Sequence, residues 1–402
     1  PPPPPPPPYV ERVHKIADKV PTEKVTLSGW TCASIEEYAD GTSPRYANIA
    51  GPTDLSALGA AYGYGWYRVK PKNVAAGKTK VILPSGGDRV HFYSDGSAVG
   101  ILGVGPGAVR ELSVPLKKAA SQPVQSLVML AENLGRFSGG VHLGEAKGLA
   151  SHLLEVEPLK VGAPKVVVGE PIDVLAFRTP LWEVRKGDVT SPQRLTWSIG
   201  SAGRKQGVVI EFRDFPGRGL LVVNDKPVAY VDRSGPAFIL LDPEALAKNG
   251  SGGNPTIQIS PIIDAAIEEM AERGATAQDM ADRFTGSVVF LSVVGSPTQK
   301  AEWAFAKWEL PTESAFKPVK GKLEGPAWWR ATFTTTGKAT PLMLDLAGLT
   351  KGQVYLNGKH LGRYFIATAE GKKVAPQHSM WLPDPWLREP GAVNELTVFD
   401  EH

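Results

Sequence analysis

The sequence predicts an all-β protein, and three observations carry that expectation. Glycine and proline are dense, at 43 and 36 of 402 residues, which favours many short strands joined by turns. Apolar and polar residues alternate at period two over most of the chain. Dipeptides such as Asn357-Gly358 stand between two alternating runs, and Asn-Gly favours the type I′ hairpin because both central residues need positive φ.

The elements follow in order. Pro1 to Pro8 is polyproline, which forms a stiff rod of roughly 25 Å at about 3.1 Å per residue. It has no backbone N–H to give a sheet, so it suits an arm that lies on apolar surface of a neighbouring subunit. The strand runs begin with YGYGWYRV (62–69), DRVHFYSDGSAVGIL (88–102) and SLVMLAENLGRF (126–137). They continue with LTWSIG (195–200), GVVIEFRDF (207–215) and GLLVVNDKPVAYV (219–231). One helical interruption is expected over 261–284, as a short αα-hairpin covering one end of a sandwich. Ser260 would cap it with Pro261 at the first position, and Ile262, Ile263, Ala266, Ile267 and Met270 share a face. Thr276 with Asp279 forms a second capping box, with Met280 and Phe284 on the buried side.

A diverged repeat organises the chain. VHFYSDGSAVG (90–100) precedes ELSVPL and then SLVMLAEN; LVVNDKPVA (221–229) precedes FILLDPEAL and then NPTIQIS; VYLNGKHLG (354–362) precedes SMWLPDPWL and then NELTVF. Pro243 to Asn254 and Pro383 to Asn394 have the same spacing. The expected domains are an arm and linker (1–20) and three modules, 21–160, 161–302 with the helical insertion, and 303–402.

Several function classes lose support. Lys+Arg at 44 against Asp+Glu at 41 gives a net charge of +3 with no basic cluster, so nucleic acid is not an expected partner. The longest apolar run, VVFLSVV (288–294), is too short to span a bilayer, and membrane insertion is not expected. Cys32 is the single cysteine, so no intrachain disulfide and no cysteine metal cage can form. No metal site and no cofactor are expected: His-Glu-x-x-His is absent, and Gly103, Gly105 and Gly107 have no helix after them to make a phosphate cradle. Asn249-Gly250-Ser251 is a glycosylation sequon, meaningful in a secreted eukaryotic protein.

GYGWYRV, SLVMLAENLGRFSGG, HLGEAKGL, WWRATF, LMLDLAGLTKGQVYLNGKHLGRYF and WLPDPWLREPGAVNELTVF, in that order, resemble the C-terminal β-domains of β-galactosidases of glycoside hydrolase family thirty-five. The resemblance covers about 50–160 and 303–402. It implies galactose-binding-like jelly rolls. In that family the catalytic carboxylates sit on an N-terminal (β/α)₈ barrel of roughly 250 residues, and no alternation of that kind occurs in this sequence. A retaining glycosidase also needs two carboxyl groups about 5 Å apart. The Asn394-Glu395 dipeptide, which parallels the family's acid/base pair, falls instead on the last strand of a jelly roll. No catalytic residue is expected.

Such modules often bind sugars through aromatic and planar hydrogen-bonding side chains. The candidates are Trp328, Trp329, Arg330, Arg363, Tyr364, Trp381 and Trp386, each with a packing role as its competitor. The expected function is a non-catalytic structural or adhesion protein of a larger surface assembly, such as a virion decoration, a tail component or a cell-surface appendage. Glycans are a second expected partner, and the expected location is extracellular or on a virion surface. Two alternatives stay open: a free carbohydrate-binding protein, and the accessory region of a β-galactosidase.

Overall fold

The computed structural model describes residues from Lys24 to His402, except 72–77, 120–121, 124–125, 137, 139–142, 170–189, 201–206, 234–236, 248–253, 263, 321–324, 337–340 and 375. The Pro1–Pro8 arm and the 249–251 sequon lie outside these. The described chain is almost entirely antiparallel β-structure with a few short helices. It forms two compact units. One combines the segment ending at Ser34 with Pro311–His402, and the other runs Ile35–Leu310.

The repeat is a repeat of topology. In each copy a hairpin lies at one edge of a sheet, and its first strand pairs with the later run named above. Arg89–Ser94 pairs with Leu127–Asn133, Arg218–Val223 with Thr256–Ile262, and Lys351–Leu356 with Val393–Asp400. Each of those later strands pairs on its other side with one more strand: Gly63–Lys70, Ser191–Ser198 and Ala327–Thr334. The order is therefore the same four strands three times. The hairpin turns carry positive φ at both central residues, Asp95 and Gly96, Asn224 and Asp225, Asn357 and Gly358, as a type I′ turn requires.

Three expectations need correction. Strand Ser28–Ser34, placed with the first module by sequence, pairs with Ala327–Thr334 in the last sheet. Strand Glu302–Lys307, which straddles the expected boundary at 302, pairs with Gly63–Lys70 in the first sheet. The first two modules are not separate, because Leu154–Pro158 pairs with Val288–Gly295 and so joins strands of both into one six-stranded sheet. These pairings are long-range, and nothing in the local pattern specifies them.

The helical hairpin is present but starts later. Pro261 and Ile262 end strand Thr256–Ile262, paired to Gly219 and Arg218. Asp264 is the cap instead, accepting from the Ala266 and Ile267 amides, and the helix spans Ala265–Glu272. The second helix, Ala277–Gly286, has the expected Thr276–Asp279 capping box. Ile267, Met270, Met280 and Phe284 are buried with the second module's core. Among the described residues no helix is long and apolar enough to cross a membrane.

The first sheet's loops are held by a charged cluster drawn from the AENLGRF and GEAKGL stretches. Lys147 is buried, with its ammonium 2.7 Å from Asp88 and 2.6 Å from Glu145. The Asp54 carboxylate accepts the Lys147 amide at 2.6 Å and the Ser56 amide at 2.7 Å, and Arg136 lies 3.3 Å away. Burial acts to raise the Asp54 pKa, but these backbone donors and the guanidinium outweigh it and hold the carboxyl below its ordinary value.

Two predictions follow from this packing. At Gly352 an added Cβ would lie 1.7 Å from the Phe399 carbonyl oxygen, whereas at Gly358 it would meet open space. Gly352→Ala should cost about 3 kcal/mol in urea unfolding, and Gly358→Ala about 1 kcal/mol, from its positive φ alone. Equal costs would contradict the close approach. Asp54 has a folded pKa below its unfolded one, so its stabilisation is present above about pH 4 and is lost as pH falls through the folded value. Asp54→Asn should therefore lower the melting temperature clearly at pH 7 and less at pH 3. A loss that is the same at both pH values would remove the carboxylate from the account.

Candidate functional site

The last module is a sandwich. Its large sheet runs, in order, Lys317–Pro318, Ser28–Ser34, Ala327–Thr334, Val393–Asp400, Lys351–Leu356 and Lys359–Phe365. A two-stranded ribbon, Leu342–Asp345 with Ser379–Leu382, supplies the other layer. Leu342, Leu344, Leu382, Val354, Leu356, Phe333 and Tyr364 form the core between them.

The seven candidates separate by the period-two rule of a strand. Tyr364 points inward and is only 1% exposed; its hydroxyl donates to the Asp400 carboxylate at 2.7 Å and to the Phe399 carbonyl at 3.0 Å. Burial and the neighbouring Asp400 push its pKa well above the ordinary value, so it stays a donor. Asp400 also accepts from the Thr350 hydroxyl and amide. Trp328 is buried with Phe399 and Tyr355, at ring separations of 5.1 and 5.9 Å. Trp329 packs half-buried against the sandwich core. These three are packing residues.

Arg330 is engaged on several sides. Its guanidinium lies 4.3 Å over Phe316, 2.5 Å from Glu313 and 3.6 Å from Glu395. Glu395, the acid of the Asn394-Glu395 dipeptide, thus faces a cation within the sheet. Asn394 is buried: its carbonyl oxygen accepts from the Asn357 side chain at 2.9 Å and from the Arg388 amide at 2.8 Å. Asn357 also donates to the Trp386 carbonyl and accepts from the Glu395 amide. The Asn-Gly turn is therefore a structural corner that ties the hairpin to the last strand and to the 384–388 loop.

The remaining three reach solvent in different places. Trp386 is half-buried at that corner, with the Lys359 ammonium 5.7 Å from its ring centre. Arg363 is exposed and, being next to inward Tyr364, leaves the large sheet on its outer face; it has no partner among the described residues. Trp381 is 52% exposed on the outer side of the ribbon. Arg363 and Trp381 thus belong to opposite layers and make no joint site.

Sequence reasoning missed Met343, which is 55% exposed and directly opposite Trp381, and Asp345 beside it. The signal was present in LMLD, where the leucines turn inward and Met343 and Asp345 turn out. His360 hydrogen-bonds Gln353 at 2.8 Å, and burial lowers its pKa. In the second module a cavity of about 1210 Å³ lies between the helical hairpin and the 213–216 turn. Its Arg273 and Arg213 are already paired, with Glu269 and Glu211.

Comparison with known proteins agrees with this geometry. Residues 326–394 match the family described as "Beta-galactosidase, galactose-binding domain". Human "Beta-galactosidase-1-like protein 2" is 33% identical over 76 residues, which is 19% of this chain and 10% of that protein. Human "Beta-galactosidase-1-like protein 3" is 29% identical over 119 residues, 29% of this chain and 17% of that protein. Rice "Beta-galactosidase 11" is 33% identical over 88 residues, 22% of this chain and 10% of that protein. The chain thus spans less than a fifth of the length of these relatives. A solved β-glucuronidase from Bacteroides uniformis aligns with 77% of this chain and 30% of its own at a TM-score of 0.24 and 11% identity, too low to support any inference. Over residues 326–394, the last module of this chain is similar to the galactose-binding domain of β-galactosidases.

Proposed function

We propose that the chain is a non-catalytic, carbohydrate-binding accessory protein whose last module contacts galactosides. The observation that carries this reading is the match of 326–394 to a β-galactosidase galactose-binding domain, on a sandwich that keeps aromatic side chains at its surface. Such a domain does not hydrolyse by itself. Of the acids discussed, Glu395 and Glu313 both contact Arg330 rather than flanking an open cleft, and a retaining site needs two free carboxyl groups about 5 Å apart. The short coverage of the relatives supports a role beside a catalytic part, as the accessory region of a β-galactosidase. The eight prolines support a second reading, anchoring of this chain to a neighbouring subunit of an extracellular or virion-surface assembly.

The purified chain should release no nitrophenol from a nitrophenyl β-galactoside, yet should bind β-galacto-oligosaccharides by calorimetry. Turnover that survives repurification and disappears in Glu395→Gln would overturn the non-catalytic reading. Deleting residues 1–8 should leave the melting temperature unchanged and weaken co-sedimentation with the parent assembly. Equal co-sedimentation would make the segment a plain linker.

A further inference from the structure

We propose that the outer face of the ribbon formed by Leu342–Asp345 and Ser379–Leu382 is a platform for neutral, β-linked galactosides, centred on Trp381. The proposal rests on the carbohydrate-binding reading above and gives it a location.

The ribbon pairs Met343 with Trp381 and Asp345 with Ser379. Leu342, Leu344 and Leu382 turn into the core, so these four face out. The outer face of such a ribbon ordinarily carries polar residues. Here Trp381 and Met343 are each more than half exposed and stand directly opposite, so the indole and the thioether form one apolar surface. Asp345 is the next position along the same face, a diagonal neighbour of Trp381 at roughly 7–8 Å. Its Oδ1 accepts the Ala347 amide at 3.0 Å, which orients the carboxylate; Oδ2 has no partner among the described residues.

This is the donor-acceptor pattern a sugar needs. The C–H face of a pyranose lies flat on an aromatic ring, and its rim hydroxyls donate to a carboxylate. Asp345 is the one formal charge among these four side chains, so an acidic sugar is disfavoured and a neutral one accepted. A protein partner fits poorly. Two large side chains cover about 400 Å² at most, about half of what one side of a stable interface needs. The ribbon strands, about 13 Å long, suit a short oligosaccharide.

The test uses the full chain, labelled with 5-fluorotryptophan, and two probes: β-1,4-galactotetraose and its sulfated form. The ¹⁹F resonance assigned through Trp381→Phe should shift on titration with the neutral probe, while the Trp386 resonance stays in place. Trp381→Ala should lower the association constant at least about tenfold, with an unchanged melting temperature. Asp345→Asn should reduce the preference for the neutral over the sulfated probe. Wild-type binding that Trp381→Ala leaves unchanged would overturn the platform and leave the carbohydrate-binding reading standing. Absence of binding by the wild type would overturn both. A concentration-dependent dimer lost in Trp381→Ala would assign the face to self-association and overturn the platform.

Discussion

Each repeat depends on one strand that is paired along both edges. In the last module that strand is Val393–Asp400, held between Ala327–Thr334 and Lys351–Leu356. The approach of the third strand is so close that position 352 admits only hydrogen. Tyr364 then closes the far side by bonding the Phe399 carbonyl and Asp400. A buried polar group must be matched, and here the tyrosine hydroxyl, the carboxylate and the Thr350 donors satisfy one another. The first and second copies place their own doubly paired strands, Leu127–Asn133 and Thr256–Ile262, in the same way.

That constraint decides which aromatics are free to recognise anything. Trp328, Trp329 and Tyr364 lie on strands of the large sheet and are spent on packing. Trp386 sits at a corner whose asparagines are committed to backbone groups. The ribbon is different: it contributes leucines to the core on one side, and on its other side Trp381 and Met343 join no core cluster among the described residues. An exposed apolar pair on such a surface is the informative exception in a β-sandwich.

The hairpins were legible from the sequence because their signals are local. Asn357-Gly358, Asn224-Asp225 and Asp95-Gly96 specify turn type without help from the rest of the chain. The spacing of NPTIQIS and NELTVF after their hairpins correctly implied equivalent strands. Strand exchange between modules was not legible: Ser28–Ser34 and Glu302–Lys307 find partners more than 200 residues away. Ser260-Pro261 was misread for a related reason, since a capping signal cannot show that the following isoleucine is claimed by a strand. For the site, residue type pointed equally to Tyr364 and Trp381. Only the alternation of inward leucines with outward Met343 and Asp345 separates a core tyrosine from a surface tryptophan.

The doubly paired strand holds the module together, and the proposed recognition surface is the ribbon's outer face. Hydrogen–deuterium exchange of the full chain, with and without a β-galacto-oligosaccharide, tests that division directly. The account predicts that 393–400 is among the slowest segments in both states and does not change, while added sugar slows exchange in 342–345 and 379–382. Protection that appears in 393–400 or around 384–388 instead, with the ribbon unaffected, would contradict it.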